Sequence, residues 1–227
     1  MYRYLHDMDP AERFADLVNR PAPQAHLDLL AALIGAAFDA SADIDKVLVD
    51  MDHLASECAP SFESILGALF GSGRLRGNRA DYGDPRNSYL HRVLERGVGI
   101  PITLSVCAIE VGRRLGVPIE GVGLPGHFLV VCDGEYADPF HGGDRYALDE
   151  LEPAWRRITG MTTALDRRLV QPTHTRSILL RMLNNLKNTM VAIDEPVQLQ
   201  VLAKLRAAFP ELAGEHAEHA RWLRHWN

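Results

Sequence analysis

Apolar positions recur with two different periods along the chain, and the places where the period changes divide it. Up to Gly71 the spacing is three to four, which marks helices that bury one face. Asp9-Pro10 caps a short helix carrying Phe14, Leu17 and Val18. After Pro21 and Pro23 a second helix aligns Leu27, Leu30, Ile34 and Phe38, and a third aligns Ile44, Val47, Met51, Leu54 and Cys58. Cys58 closes that stripe and reads as a packing residue. Ser61 starts a fourth helix through Ile65, Leu66 and Leu69 that stops at Gly71. Gly71 to Pro85 has no period. It carries four glycines with Arg74, Arg76 and Arg79, so it is either an anion-binding or lid segment or, more simply, a mobile solvated connection. Asn87 or Ser88 then caps a short helix with Leu90, Val93 and Leu94.

From Gly97 to Gly143 the pattern changes. Pro101 suits a first helical position, where its missing N–H costs nothing, and Ile102 to Val111 is apolar almost throughout. A helix apolar on most sides is a buried, central one. Gly116, Val117 and Pro118 end it. Ile119–Val122 and His127–Cys132 are β-branched and apolar runs, Asp133-Gly134 is a hairpin turn, and Tyr136–Phe140 returns as the next strand. Counting outward from that turn sets Cys132 opposite Glu135, Val130 opposite Ala137, and Leu129 opposite Asp138. His127 shares a face with Leu129, so His127 and Asp138 are diagonal neighbours. The expected pair is hydrogen-bonded, faces the N-terminal end of the Pro101 helix, and borders a pocket there.

Helical spacing then resumes. Leu148 to Ile158 reads as a helix around Trp155, followed by a connection to Pro172. From Thr175 a stripe of Leu179, Leu183, Leu186 and Met190 is followed by Pro196 with Leu199, Leu202, Leu205 and Phe209. A last helix sets Leu212, His216, His219, Leu223 and Trp226 on one side. His216 and His219 could chelate a metal, but a helix–helix seam or a partner face explains them better. The segments are a helical one over 1–84, a core over 85–172 and a helical one over 173–227, in an α+β protein.

Composition narrows the classes. With 47% hydrophobic residues the chain can bury a core, and a net charge of −6 lacks the basic face of a general nucleic-acid binder. Three widely spaced cysteines fit a reducing cytoplasm better than a disulfide framework. Neither a leader-type apolar run nor a stretch of membrane-spanning length is present. A soluble, cytoplasmic protein is expected, with no membrane or nucleic-acid partner and no cofactor. His141, with His127 and Asp138, makes a metal site conceivable. No compact ligand motif supports one, so a hydrogen-bonded turn histidine is preferred and no metal is expected.

A helix start, a strand histidine and an aspartate on the paired strand make the layout of a papain-type site. Asn87-Ser88-Tyr89-Leu90, Gly99-Ile100-Pro101-Ile102, Arg114-Leu115-Gly116-Val117-Pro118, Pro125-Gly126-His127-Phe128 and Asp138-Pro139-Phe140 together resemble the bacterial SirB-type, transglutaminase-like family. The resemblance implies a transglutaminase/papain-like core with helices before it and tetratricopeptide-like helices after it, entered at Leu180 to Lys187. In active transglutaminase-like proteins a Gly-x-Cys opens the helix, and that cysteine works with the histidine and aspartate. Here the triplet is Gly99-Ile100-Pro101: His127 and Asp138 carry over and the nucleophile does not. Cys107 lies roughly 9 Å further along the helix and about 240° around it, away from the positive helix end that would activate a thiol. It reads as packing. Ser105 is nearer the right face. Two functions follow as expectations. One is a noncatalytic, regulatory protein that binds a protein or peptide in a cleft bordered by Pro101, Ser105 and Asn87. The other is an amide hydrolase or acyltransferase in which Cys107 or Ser105 works with His127 and Asp138.

Overall fold

The computed structural model describes residues 8–20 and 26–212. Helix α1 (Pro10–Val18) begins where the Asp9 carboxylate accepts from the backbone amides of Ala11 and Glu12. Helix α2 (Leu27–Phe38) is apolar and buried on most sides, and α3 (Ile44–Ser56) is capped by Asp43. Cys58 falls just past the end of α3, half-buried, its sulfur 3.2 Å from the Leu54 carbonyl. Helix α4 (Phe62–Leu66), capped by Ser61, runs on as a wide turn to Gly71.

The next segment departs from a plain solvated connection. Arg76–Gly77 forms β1, paired in parallel with β2 (Val98–Gly99), and the Asn78 amide donates to the Gly99 carbonyl at 2.9 Å. Two-residue strands carry no alternation, so the pairing left no trace in the sequence pattern. The cap also differs from expectation. Asp84 caps a 3-10 turn at Pro85–Ser88, and α5 (Leu90–Arg96) starts from Tyr89 without a side-chain cap. The Asn87 side chain is engaged elsewhere, as described below.

Helix α6 (Pro101–Leu115) is the buried centre, with Pro101 at its first position and Gly116, at φ 70°, ending it. The Thr103 hydroxyl accepts from the Ile100 amide and donates to the Asn87 carbonyl at 2.7 Å, which pins the helix start. At its other end Arg114 bonds Asp28 at 2.6 Å, Asp52 at 2.7 Å and Glu110 at 3.1 Å, fastening α6 to α2 and α3. Four antiparallel strands follow in sequential order: β3 (Glu120–Leu124), β4 (His127–Cys132), β5 (Glu135–Asp138) and β6 (Asp144–Tyr146). Asp133 and Gly134 both have positive φ, 49° and 83°, which suits the two-residue hairpin between β4 and β5. Cys132 pairs with Glu135 and Val130 with Ala137. Strand β6 is short and polar, and escapes a reading by alternation.

The two faces of the sheet are covered differently. Phe128, Val130, Cys132 and Ala137 join the main core with α6. Val122, Leu124, Leu129, Val131 and Tyr136 form a second core with Trp155 of α7 (Leu151–Thr159) and with Leu165 and Val170. Helices α8 (Thr175–Ala192) and α9 (Pro196–Arg206) turn their apolar stripes into the main core, which runs from Ala11 to Phe209. Phe209 meets Phe14 of α1 with ring centroids 6.1 Å apart. The helix expected around His216 and His219 lies outside the described residues. Among the described residues, no helix is long and apolar enough to cross a membrane.

Candidate functional site

Asp138 ends β5 and is fully buried, and its carboxylate organises everything around it. Oδ1 accepts from the backbone amides of Phe140 at 3.0 Å and His141 at 3.2 Å, so Asp138 caps the 3-10 turn Pro139–His141. With one oxygen held by the backbone, the other is aimed. Oδ2 lies 2.7 Å from His127 Nε2 and 2.7 Å from His141 Nδ1. An ionised carboxylate can only accept, so each of those nitrogens carries a proton. Burial would raise the Asp138 pKa, but the hydrogen bonds from His127 and His141 outweigh it and hold it down to about 2. His127 is 5% exposed and His141 is 21% exposed, so the cluster opens to solvent on the His141 side.

One turn conformation and two distant side chains place His127. Gly126 takes φ 70° in the turn between β3 and β4, where a side chain would be strained. Trp155 donates its indole N–H to the Pro125 carbonyl at 2.8 Å, bracing that turn. Arg181 of α8 donates to the carbonyls of His127, at 2.6 Å, and Leu124. Neither Trp155 nor Arg181 was singled out as a site residue from sequence. The available signal was a single arginine set between Leu180 and Met182 in a largely apolar run of the helix.

The nucleophile candidates do not join the pair. Cys107 is completely buried in α6, and burial pushes its thiol up to about 12, with Asp28 and Glu110 adding to the effect. The Ser105 hydroxyl is buried with no hydrogen-bond partner. Pro101 is buried at the helix mouth. The Asn87 amide is spent on the loop: Oδ1 accepts from Asn78 at 2.9 Å and Nδ2 donates to the Asp81 carbonyl at 2.7 Å. By alternation His127 lies on the Leu129–Val131 side of β4, and its ring neighbours are Phe140, part of the main core with α6, and His141. Contacts from the imidazole toward the mouth run through Phe140, whose ring centroid is 6.3 Å away, and then Gly77, the partner of Gly99.

Gly77 is therefore a sensitive position. A Cβ there would fall 2.5 Å from the Phe140 carbonyl and 2.6 Å from its ring. Gly77→Ala is expected to cost about 1–3 kcal/mol through forced repacking, and to shift the His127 and His141 ring resonances in NMR spectra. Unchanged ring resonances would mean that Phe140 does not couple the loop to the cluster. Of the loop arginines, Arg74 pairs with Glu57, Arg79 lies 6.0 Å from the Phe140 ring centre and Arg76 is exposed, so the three have different surroundings. An open depression of about 420 Å³ is lined by Arg145, Tyr146, Asp149, Pro153 and Arg157, none of them at the helix mouth.

A family model described as the transglutaminase-like superfamily matches residues 23–184. A UPF0162 protein of Xylella fastidiosa (strain Temecula1) is 38% identical over 187 residues, covering 74% of this chain and 66% of that protein. A UPF0162 protein of Pseudomonas aeruginosa is 28% identical over 204 residues, covering 84% and 73%. F-box only protein 21 of Mus musculus is 33% identical over 151 residues, covering 60% of this chain and 23% of that protein. The chain thus spans just under two thirds of the length of the Xylella relative. No solved structure matches.

Proposed function

This chain belongs to the transglutaminase-like superfamily, and on that footing we propose that it is a noncatalytic member of the SirB-type branch that binds a protein or peptide. The observation that carries the reading is the helix start. Acyl transfer by a thiol needs a sulfur at the positive end of the helix, within reach of an imidazole. Pro101 occupies that end, and the nearest cysteine along the helix, Cys107, is sealed in the core with its thiol pushed up to about 12. The His127–Asp138 bond survives as a structural element tied into the turn that follows β5. Helices α8 and α9, joined by a short turn, are proposed as the tetratricopeptide-like part of this branch. Such helix pairs offer grooves to partners.

The test is chemical. Iodoacetamide is expected to modify Cys107 in the native protein no faster than global unfolding exposes it. Amide hydrolysis and amine-incorporation assays are expected to stay at background, unaltered in Cys107→Ala and in Ser105→Ala. Fast alkylation of Cys107 that disappears in His127→Ala would reveal a thiolate paired with that imidazole and replace this reading with a cysteine-type enzyme. Turnover lost in Ser105→Ala would replace it with a hydroxyl-based one.

A further inference from the structure

The His127–Asp138–His141 cluster holds more than a catalytic-type pair requires. Orienting one imidazole takes one carboxylate oxygen, and capping the turn after β5 takes the other. Both tasks are complete without a second imidazole. Yet His141 Nδ1 and His127 Nε2 converge on the same oxygen, each at 2.7 Å, and one donor atom from each of the three side chains lies within 4.8 Å of the others. We propose that His127, Asp138 and His141 form a site for a divalent first-row transition ion, with Zn²⁺ as the representative occupant.

Donor chemistry selects the class. Two imidazoles and one carboxylate suit Zn²⁺ and its first-row neighbours, whereas Mg²⁺ and Ca²⁺ take oxygen sets and Cu⁺ takes sulfur. Three protein ligands leave further coordination positions for water or another molecule. The support expected behind a metal-binding carboxylate is already built, because the Phe140 and His141 amides fix Oδ1 and thereby direct Oδ2.

Geometry asks for two adjustments, because the donors now spread over as much as 4.8 Å and the two imidazole nitrogens must also approach each other. Donors about 2.0–2.2 Å from a tetrahedral ion stand roughly 3.3–3.5 Å from one another. The imidazoles must therefore withdraw from Oδ2 by somewhat more than half an ångström. His127 is held by the sheet, but His141 sits on a turn followed by Gly142 and Gly143, at φ 77° and 84°, and is 21% exposed. That side can open. Ligation needs both nitrogens bare, so each neutral imidazole must carry its proton on the other ring nitrogen, Nδ1 in His127 and Nε2 in His141. No thiol is involved, so the proposal stands or falls separately from the noncatalytic reading of the helix mouth.

The experiment uses the full chain, stripped with a chelator and titrated with Zn²⁺ by calorimetry and with Co²⁺ by visible absorption. The wild type is expected to take up one ion. His141→Ala, a partly exposed turn position, is expected to fold cooperatively with a somewhat lower thermal transition, because Asp138 loses one of its two imidazole donors. It should lose more affinity than the ~10–100-fold that an outer-shell loss costs. His141→Cys restores a ligand but not an imidazole, and is expected to recover Co²⁺ binding with a thiolate charge-transfer band. The double substitution His216→Ala, His219→Ala is expected to leave the ion in place. Wild-type binding no tighter than that of His141→Ala would overturn the site. So would an equivalent that survives in His141→Ala, or one that disappears with His216 and His219.

Discussion

Asp138→Asn is expected to lower stability near neutral pH by about 2–3 kcal/mol, and that deficit is expected to shrink as the solution is acidified. The carboxylate is fully buried, and its folded pKa is held at about 2 against an ordinary value of 3.8. A depressed folded pKa means that the charged form is the one the fold prefers. The stability it contributes is therefore fully present above about pH 4 and is lost as pH falls through about 2. A shift of nearly two units corresponds to about 2 kcal/mol. Asparagine keeps an oxygen for the Phe140 and His141 amides but turns an NH₂ group toward nitrogens that are themselves donors. At least one of those donors is then left without its acceptor, which costs about 1–3 kcal/mol. Urea unfolding of wild type and variant, from neutral pH down to about pH 2, measures the gap. A gap that stays constant between about pH 4 and 2 would show that the charge of Asp138 does not hold the cluster.

Removing the chain from Thr175 onward is expected to abolish cooperative folding of the remainder. Ile178, Leu179, Met182, Leu183, Leu186, Met190, Leu199, Leu202, Leu205 and Phe209 are each 2% exposed or less, in one core with α1, α2 and α6. Each such side chain contributes about 1.5–3 kcal/mol by burial, so losing the set exceeds the 5–15 kcal/mol that typically separates folded from unfolded. The cut also removes Arg181 from the His127 and Leu124 carbonyls, loosening the turn that presents the imidazole. Leu183→Ala alone is expected to cost about 2–5 kcal/mol. Solubility, sedimentation and a thermal melt of the truncated protein decide the matter. A monomeric remainder with an unchanged transition would make α8 and α9 an independent module.

Much of this was legible because it depends on local chemistry. Asp9-Pro10, Ser61, Pro101 and Gly116 mark helix ends through their own backbone limits and side-chain oxygens, and no distant residue is needed to read them. The His127–Asp138 pairing followed from counting across Asp133-Gly134, since a two-residue turn sets the register and the register sets the faces. The cap expected from Asn87 or Ser88 failed for the complementary reason, which Asn87 shows. Its side chain can serve a helix or a loop, and the loop won because β1 brings Asn78 and Asp81 against it.

By itself, then, the amino-acid sequence determined the order of the main helices and of the strands β3 to β5, the central place of the Pro101 helix, the absence of a cysteine at its start, and the histidine–aspartate pair. Periodicity, turn type and residue identity are properties of a few neighbouring positions. Only the tertiary structure decided that His141 joins Asp138 on the oxygen already used by His127, that Arg181 and Trp155 hold the turn before His127, and that the faces of the sheet divide between α6 and Trp155. Those outcomes depend on where segments distant in the chain come to rest, and burial, which selects that arrangement, is a non-directional force acting on the whole core.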